Sequence, residues 1–270
     1  FKRGINFIHI PTTLLAMVDA AVGGKTGINF GGLKNEVGAF ANARYVIVNT
    51  CFLDTLDTAN LCSGYAEMLK HSLISNAQMW AEHVNFDILP PDLAELQRMV
   101  AASIAVKEHI VADDPHEHGI RKALNFGHTI GHALEEFSMQ QPGGAVVSAR
   151  LLPLARARTA PTKQVTPGTL LHGYAVAFGL IGELYISARK AGFPTARLHQ
   201  TARFIRENYG AVAFTCDDYP TLLNLMRHDK KNTSDTINFT LLHDIGDIRI
   251  NQTATDEEIR EALDFIREGY

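Results

Sequence analysis

The chain has 270 residues, a formal net charge of −4, 46% hydrophobic residues and 20% charged residues. That composition supports a sizeable core in one large domain or two modest ones and excludes global disorder. The mildly acidic balance gives no reason to expect a nucleic-acid partner, and no stretch is long, apolar and uncharged enough for a membrane-spanning helix.

Phe1-Lys2-Arg3 opens the sequence without Met, and Ile5 to Ile10 alternates as a β-strand does. A strand so early reads as interior to a sheet, with upstream sequence missing and no signal peptide. Pro11 to Thr13 leads into a helical stretch ending near Val22. Gly23–Gly27 and Gly31–Asn35 read as two loops, and Arg44–Asn49 as a second, buried strand. Helical patterns follow over 59–76, 78–86, 91–112, 121–137, 170–192, 195–208 and 218–229. Asp92 starts one of these well and Pro194 closes another. Thr236–Leu242 and Asp247–Ile250 flank a Gly246 turn and predict a hairpin. A capping-box pattern at Thr255-Asp-Glu-Glu starts the last helix. Residues 139–169 stand apart, with Pro142, Pro153, Pro161 and Pro167 and four basic residues but no acid. They read as a mobile basic insertion. Cys51, Cys62 and Cys216 are odd in number and widely spaced, which fits reduced thiols in a cytoplasmic setting.

The chemistry concentrates at Leu124–His132. His128 and His132 stand four residues apart, so a helix there stacks two imidazoles on one face, a common start for a metal site. Thr129, Ile130 and Gly131 lie between them, without the Glu that a zinc peptidase places there. Glu67, one turn before Lys70, and His172 are further donor candidates. A Glu with two His leaves an open coordination position, as catalytic zinc does. Lys25, Lys34, Lys70, Lys107, Arg121, Lys230 and Lys231 supply cations for an anionic ligand. Gly24-Lys25-Thr26 matches the end of a phosphate loop, but Asp19 occupies the place of its first Gly, which argues against nucleotide hydrolysis.

Longer motifs are more specific. Pro11-Thr-Thr-Leu-Leu-Ala-x-Val-Asp-Ala-x-Val-Gly-Gly-Lys-Thr-Gly-x-Asn29 and Lys34-Asn35-x-x-Gly-Ala-Phe40 open a series. Ala66-Glu67-x-x-Lys70, Glu117-x-Gly-x-Arg121 running on to His132-Ala133, His172-Gly173 and Asp229-Lys230-Lys231 complete it. In that order they resemble the 3-dehydroquinate synthase family over nearly the whole chain except 139–169. The chain departs from the family at Asp54, where many relatives carry Lys, and at Tyr174, where many carry Glu.

The resemblance implies an α/β remnant plus a mainly α-helical domain, the C-terminal part of the dehydroquinate synthase-like fold. Residues 1–58 would end a Rossmann-like NAD-binding domain. Residues 59–270 would form a helical metal- and substrate-binding domain, with an inserted loop at about 139–169. The family's Gly-rich pyrophosphate motif is not among these residues. The implied cofactors are NAD and Zn2+, with Co2+ as an alternative ion. Glu67, His128 and His172 match the metal ligands, which moves His132 to the substrate side. Asp19, Lys25, Asn35, Lys70, Lys107, Arg121, Asn125, His132 and Lys230 match catalytic and substrate positions. Thr12, Thr13, Lys25, Lys34, Phe52, Leu53, Asp54 and Thr55 match NAD-contacting positions.

The implied reaction belongs to the shikimate pathway of aromatic amino acid biosynthesis. It converts 3-deoxy-arabino-heptulosonate 7-phosphate to 3-dehydroquinate and phosphate. The route is transient NAD oxidation, phosphate elimination, re-reduction and an intramolecular aldol. The rivals are another sugar phosphate cyclase, a zinc-dependent polyol dehydrogenase and a catalytically incomplete fragment. The expected partners are a small sugar phosphate and a second copy in a homodimer, with no nucleic acid and no membrane.

Overall fold

The computed structural model describes residues 4–30, 33–140, 169–228 and 236–269. The expectation of a mobile insertion falls on residues 141–168, and Lys230 and Lys231 on 229–235; both stretches lie outside the described residues. The side chains of Lys34 and Asn35 lie outside them too.

The N-terminal part is built from short strands. β1 (Ile8–His9) pairs in parallel with β4 (Tyr45–Val46), while β2 (Lys25–Phe30) and β3 (Leu33–Phe40) form an antiparallel hairpin between them. This corrects the expected loops at Gly23–Gly27 and Gly31–Asn35 over Lys25–Gly27 and Leu33–Asn35, whereas Gly23 and Gly24 do turn, with φ +99° and +67°, and Gly31 and Gly32 lie outside the described residues; the two expected strands are shorter. Gly27 misled the reading because it sits inside the ladder. Gly27 faces Gly38, and a Cβ on Gly38 would lie 2.2 Å from the Thr26 carbonyl oxygen. Ile5, Ile8, Ile10, Tyr45 and Ile47 are exposed here.

The rest is mainly helical: α1 (Thr58–Leu73), α2 (Ala77–Val84), α3 (Leu93–Asp113), α4 (His128–Gln140), α5 (His172–Lys190), α6 (Thr195–Tyr209), α7 (Tyr219–Arg227) and α8 (Asp256–Glu268). The hairpin β5 (Asn238–Asp244) with β6 (Asp247–Thr253) precedes α8. Polar caps start several of these helices, at Asp92 and Thr255 where expected. Asp57 accepts from Asn60 N, and Asp92 accepts from the amides of Ala94 and Glu95. Thr255 and Glu258 cap α8 reciprocally. The helix expected over 121–137 splits into a 3-10 turn at Ile120–Asn125 and then α4. Gly127 between them has φ +80°, which the right-handed helix cannot contain.

Two helices form the centre. Every residue from Leu61 to Leu73 of α1 and from Gly173 to Leu184 of α5 is buried, the mark of a helix enclosed on all sides. They meet backbone to backbone, since a Cβ on Gly173 would fall 1.8 Å from the Ser63 carbonyl oxygen. α4 packs along α5, and α3 covers the first turn of the site at Ala16–Ala20. No described helix is long and apolar enough to cross a membrane.

Candidate metal and substrate site

Three helices deliver the donor set. Glu67 comes from the middle of α1 and is fully buried, and His128 and His172 are the first residues of α4 and α5. His128 Nε2 lies 3.3 Å and His172 Nε2 3.5 Å from Glu67 Oε1, an oxygen with no hydrogen-bond partner. The opposite ring nitrogens fix how the imidazoles present themselves. Nδ1 of His128 donates to the Phe126 carbonyl at 3.1 Å, and Nδ1 of His172 donates to Glu135 Oε2 at 2.9 Å. Carbonyl and carboxylate oxygens only accept, so both Nε2 atoms are left to meet Glu67. Two imidazole nitrogens converging on an orphaned carboxylate oxygen match the chemistry of a zinc-type donor set with an open position.

Electrostatics agree with that reading. Burial opposes ionisation of Glu67, but Lys70 and then His128 hold its carboxyl well below the usual range. Lys70, one turn along α1, is itself buried and pairs with Glu67 Oε2. Burial would lower the pKa of His172, yet the facing carboxylates of Glu135 and Glu67 raise it to about 9.

His132 is next to this group. Its ring centroid is 5.3 Å from that of His128 and 5.9 Å from that of His172. A second potential donor set, His132, Glu135 and His172, overlaps the first.

The cations line the adjoining side. Lys107 Nζ, from α3, donates to Asp19 Oδ1 and to its backbone oxygen, both at 2.6 Å. Burial works against the Asp19 charge, and Lys107 restores it, so its carboxyl titrates below its ordinary value. Arg121 is buried and donates to the carbonyls of Gly23 at 2.9 Å and Pro115 at 2.5 Å. Lys25 pairs with Glu117 Oε2, and Asn125 Nδ2 donates to Glu117 Oε1 at 2.6 Å. Asp114 builds the intervening turn by accepting from the amides of His118, Gly119 and Arg121. Within it, Glu117 adopts φ +61°, a conformation uncommon outside glycine. His71 Nδ1 meets Ser103 Oγ at 2.7 Å behind Asp19 and Glu67, and burial pushes its pKa down to about 3, so it is neutral.

Sequence reasoning passed over Glu117, Glu135, Glu183 and His71. Glu135 carried a signal, since it falls on the His128–His132 face of α4 at helical spacing. The positions expected to contact NAD sit elsewhere in the N-terminal part. Thr13 Oγ1 accepts from Ala16 N at 3.2 Å, and Thr12 is exposed. A mainly apolar recess of about 230 Å³ lies beside them, lined by His9, Ile10, Pro11, Ala16, Ala20 and Ala21. In the 3-10 turn Thr50–Thr55, Phe52, Asp54 and Thr55 are exposed and Leu53 is buried. The Leu53 side chain therefore packs inward, which leaves its backbone for any contact.

Two family models match. One described as 3-dehydroquinate synthase N-terminal covers residues 1–63, and one described as 3-dehydroquinate synthase C-terminal covers 64–154 and 162–232. A 3-dehydroquinate synthase from Parabacteroides distasonis is 52% identical over all 270 residues, which span 69% of that relative. The chain spans about two thirds of the length of the curated relatives it matches. Among solved structures, 2-deoxy-scyllo-inosose synthase complexed with carbaglucose-6-phosphate, NAD+ and Co2+ aligns with a TM-score of 0.77 at 24% identity. That alignment covers 100% of this chain and 69% of the other. A 2-epi-5-epi-valiolone synthase from Streptomyces hygroscopicus subsp. jinggangensis 5008, with NAD+ and Zn2+ bound, aligns with a TM-score of 0.75 at 23% identity. It covers 98% of this chain and 67% of that one. These two alignments show a shared fold.

Proposed function

The chain belongs to the 3-dehydroquinate synthase family, and we propose that its site converts 3-deoxy-arabino-heptulosonate 7-phosphate to 3-dehydroquinate and phosphate. The observation that carries this reading is the convergence of His128 Nε2 and His172 Nε2 on the unpartnered Glu67 Oε1, beside a bank of cations. In this proposal Glu67, His128 and His172 would hold a zinc or cobalt ion. Bound there, the ion would supply a Lewis acid for a sugar oxygen, and NAD would accept a hydride and return it.

The chain's own residues do the rest. A substrate with a carboxylate at one end and a phosphate at the other needs two cationic anchors. Lys25, Arg121 and Lys107 offer charge from three separate segments, so they hold both ends and fix the orientation of the sugar. Asn125 adds a neutral donor beside Lys25. Asp19 keeps Lys107 in place and can accept from a substrate hydroxyl. Lys70 holds Glu67 ionised. His132, one turn beyond His128, is placed to move a proton at a substrate oxygen. Loss of phosphate by β-elimination takes a proton from the carbon next to the phosphate-bearing one and needs the leaving oxygen held and neutralised; the cations provide the second. The lyase class, the cofactors, a homodimer and these residue roles all belong to the proposal.

The test is stoichiometric. The purified chain is given NAD+, Zn2+ and the heptulosonate phosphate, and phosphate and absorbance at 340 nm are followed together. Phosphate release without net NADH is the expected result. Net NADH would replace the reading with a polyol dehydrogenase. Turnover only of sugar phosphates lacking the carboxylate would point to another cyclase. Bound zinc with neither product would mark an incomplete catalytic unit.

A further inference from the structure

We propose that Glu183 is a positioning residue for the ligand triad, one half of a reciprocal clasp between α4 and α5; the inference rests on the reading of Glu67, His128 and His172 as metal ligands. The two helices that begin with these histidines lie side by side. Their middle sections touch without side chains between them. A Cβ on Gly179 would lie 1.9 Å from the Gly127 carbonyl oxygen, and one on Gly131 would lie 3.0 Å from the Ala175 carbonyl oxygen. At one end Glu135 of α4 crosses to His172 Nδ1 of α5. At the other end Glu183 of α5 crosses back to the start of α4. Its Oε2 accepts from Gly127 N at 2.7 Å, and its Oε1 accepts from Thr129 N at 2.9 Å and Ile130 N at 3.2 Å.

The first amides of a helix have no partner within it and usually take one from a local cap side chain. Here the residue before α4 is Gly127, which has no side chain to offer. The cap comes instead from the neighbouring helix, and that neighbour carries the other histidine. A local Ser or Asp would satisfy the same amides without tying the two helices together. The amides gripped by Glu183 lie on both sides of His128, whose ring is held in turn by the Phe126 carbonyl. Glu183 is fully buried, so water cannot take over its role. The clasp therefore sets where His128 stands relative to His172.

The test compares three proteins: wild type, Glu183→Gln and Ser187→Ala. Ser187 lies one turn further along α5, is buried, accepts from Leu242 N at 3.0 Å and donates to the Glu183 backbone oxygen at 2.6 Å; it leaves the Glu183 carboxylate untouched, so its loss reports general destabilisation of the same helix. Zn2+ affinity is read by chelator competition, geometry by the visible spectrum of the Co2+-loaded protein, and stability by thermal melting. Glu183→Gln should weaken Zn2+ at least about tenfold and alter the Co2+ bands. Ser187→Ala should leave both within about twofold at a comparable loss of melting temperature. Wild-type affinity and an unchanged Co2+ spectrum in Glu183→Gln would overturn the inference while leaving the triad intact, as would equal weakening in Ser187→Ala. A wild type that binds no Zn2+ would overturn the triad and the inference together. Should Glu183→Gln not fold, amide exchange on the wild type decides. Zn2+ should raise protection at Gly127, Thr129 and Ile130, by reciprocity between coupled sites, and unchanged protection there would refute the clasp.

Discussion

The donor triad and the cation bank adjoin one another but are built on different principles. The triad stands on α1, α4 and α5, helices whose backbones touch through Gly173 and Gly179. Its residues are held by packing and by buried partners: the Phe126 carbonyl for His128, Glu135 for His172 and Lys70 for Glu67. The cation bank stands mostly on turns and a hairpin: Lys25 at the start of β2, Arg121 and Asn125 in a 3-10 turn, and Asp19 in the short turn Ala16–Ala20, with Lys107 reaching in from α3. Lys25 and Lys107 are held by carboxylates, through Lys25–Glu117 and Lys107–Asp19, and Arg121 by the carbonyls of Gly23 and Pro115. Under the proposed function, the difference follows from the ligands. An ion of fixed coordination geometry needs donors that do not move. An anion of several charges needs cations whose present partners are carboxylates it can replace.

If this contrast is right, damage to the first region should abolish ion binding and damage to the second should leave it intact. The largest effect belongs to His172→Ala, which should lower zinc from about one equivalent to near none by elemental analysis, while His132→Ala retains it. Equal zinc in His172→Ala and wild type would remove His172 from the ligand set. Next comes Glu135→Gln, which leaves His172 in place but loosens its ring. Zn2+ affinity should fall roughly 10- to 100-fold, and wild-type affinity would show that the Glu135–His172 contact does not act on the ion. Lys25→Met should raise KM for the sugar phosphate about tenfold or more through the lost charge-assisted contact. Its zinc content should not change, and a fall in zinc would mean that the two regions are coupled.

The smallest effect lies outside both regions. His83 on α2 is buried and donates from Nδ1 to the Met79 carbonyl at 2.7 Å, and burial lowers its pKa to about 4. The folded state thus disfavours its protonation. Its contribution is complete above the ordinary histidine value of about 6.5 and is lost as pH falls from there toward 4. Between pH 7 and pH 5 this costs about 2 kcal/mol, read as a drop in Tm. His83→Gln should shrink that drop and leave zinc binding untouched; an undiminished drop would assign the acid sensitivity to other groups.

How much of this was legible in the sequence depended on how local the signal was. Asp92 and Thr255 announced their helices because a cap acts within one turn. The hairpin at Gly246 announced itself for the same reason. The pairing of β2 with β3 did not, because it puts glycines in register where their spacing suggested loops. Within the site, His128 was visible from its spacing to His132. The choice of His172 over His132 came from family resemblance, since no local pattern links residues on different helices. Glu117, Glu135 and Glu183 stayed hidden for a related reason. Their partners Lys25, His172 and the amides of α4 are distant in the chain and meet them only after α4, α5 and the Asp114 turn have packed.

The contact between Gly173 and the Ser63 carbonyl sets a limit on the history of this chain. His172 reaches Glu67 only because the next residue lets α5 lie directly on α1. Any side chain at 173 pushes the two helices apart and carries the histidine away with them. No series of small replacements leads away from glycine there. Under selection for function, a saturation library at codon 173 should return glycine alone, although the residue has no side chain to offer an ion or a sugar.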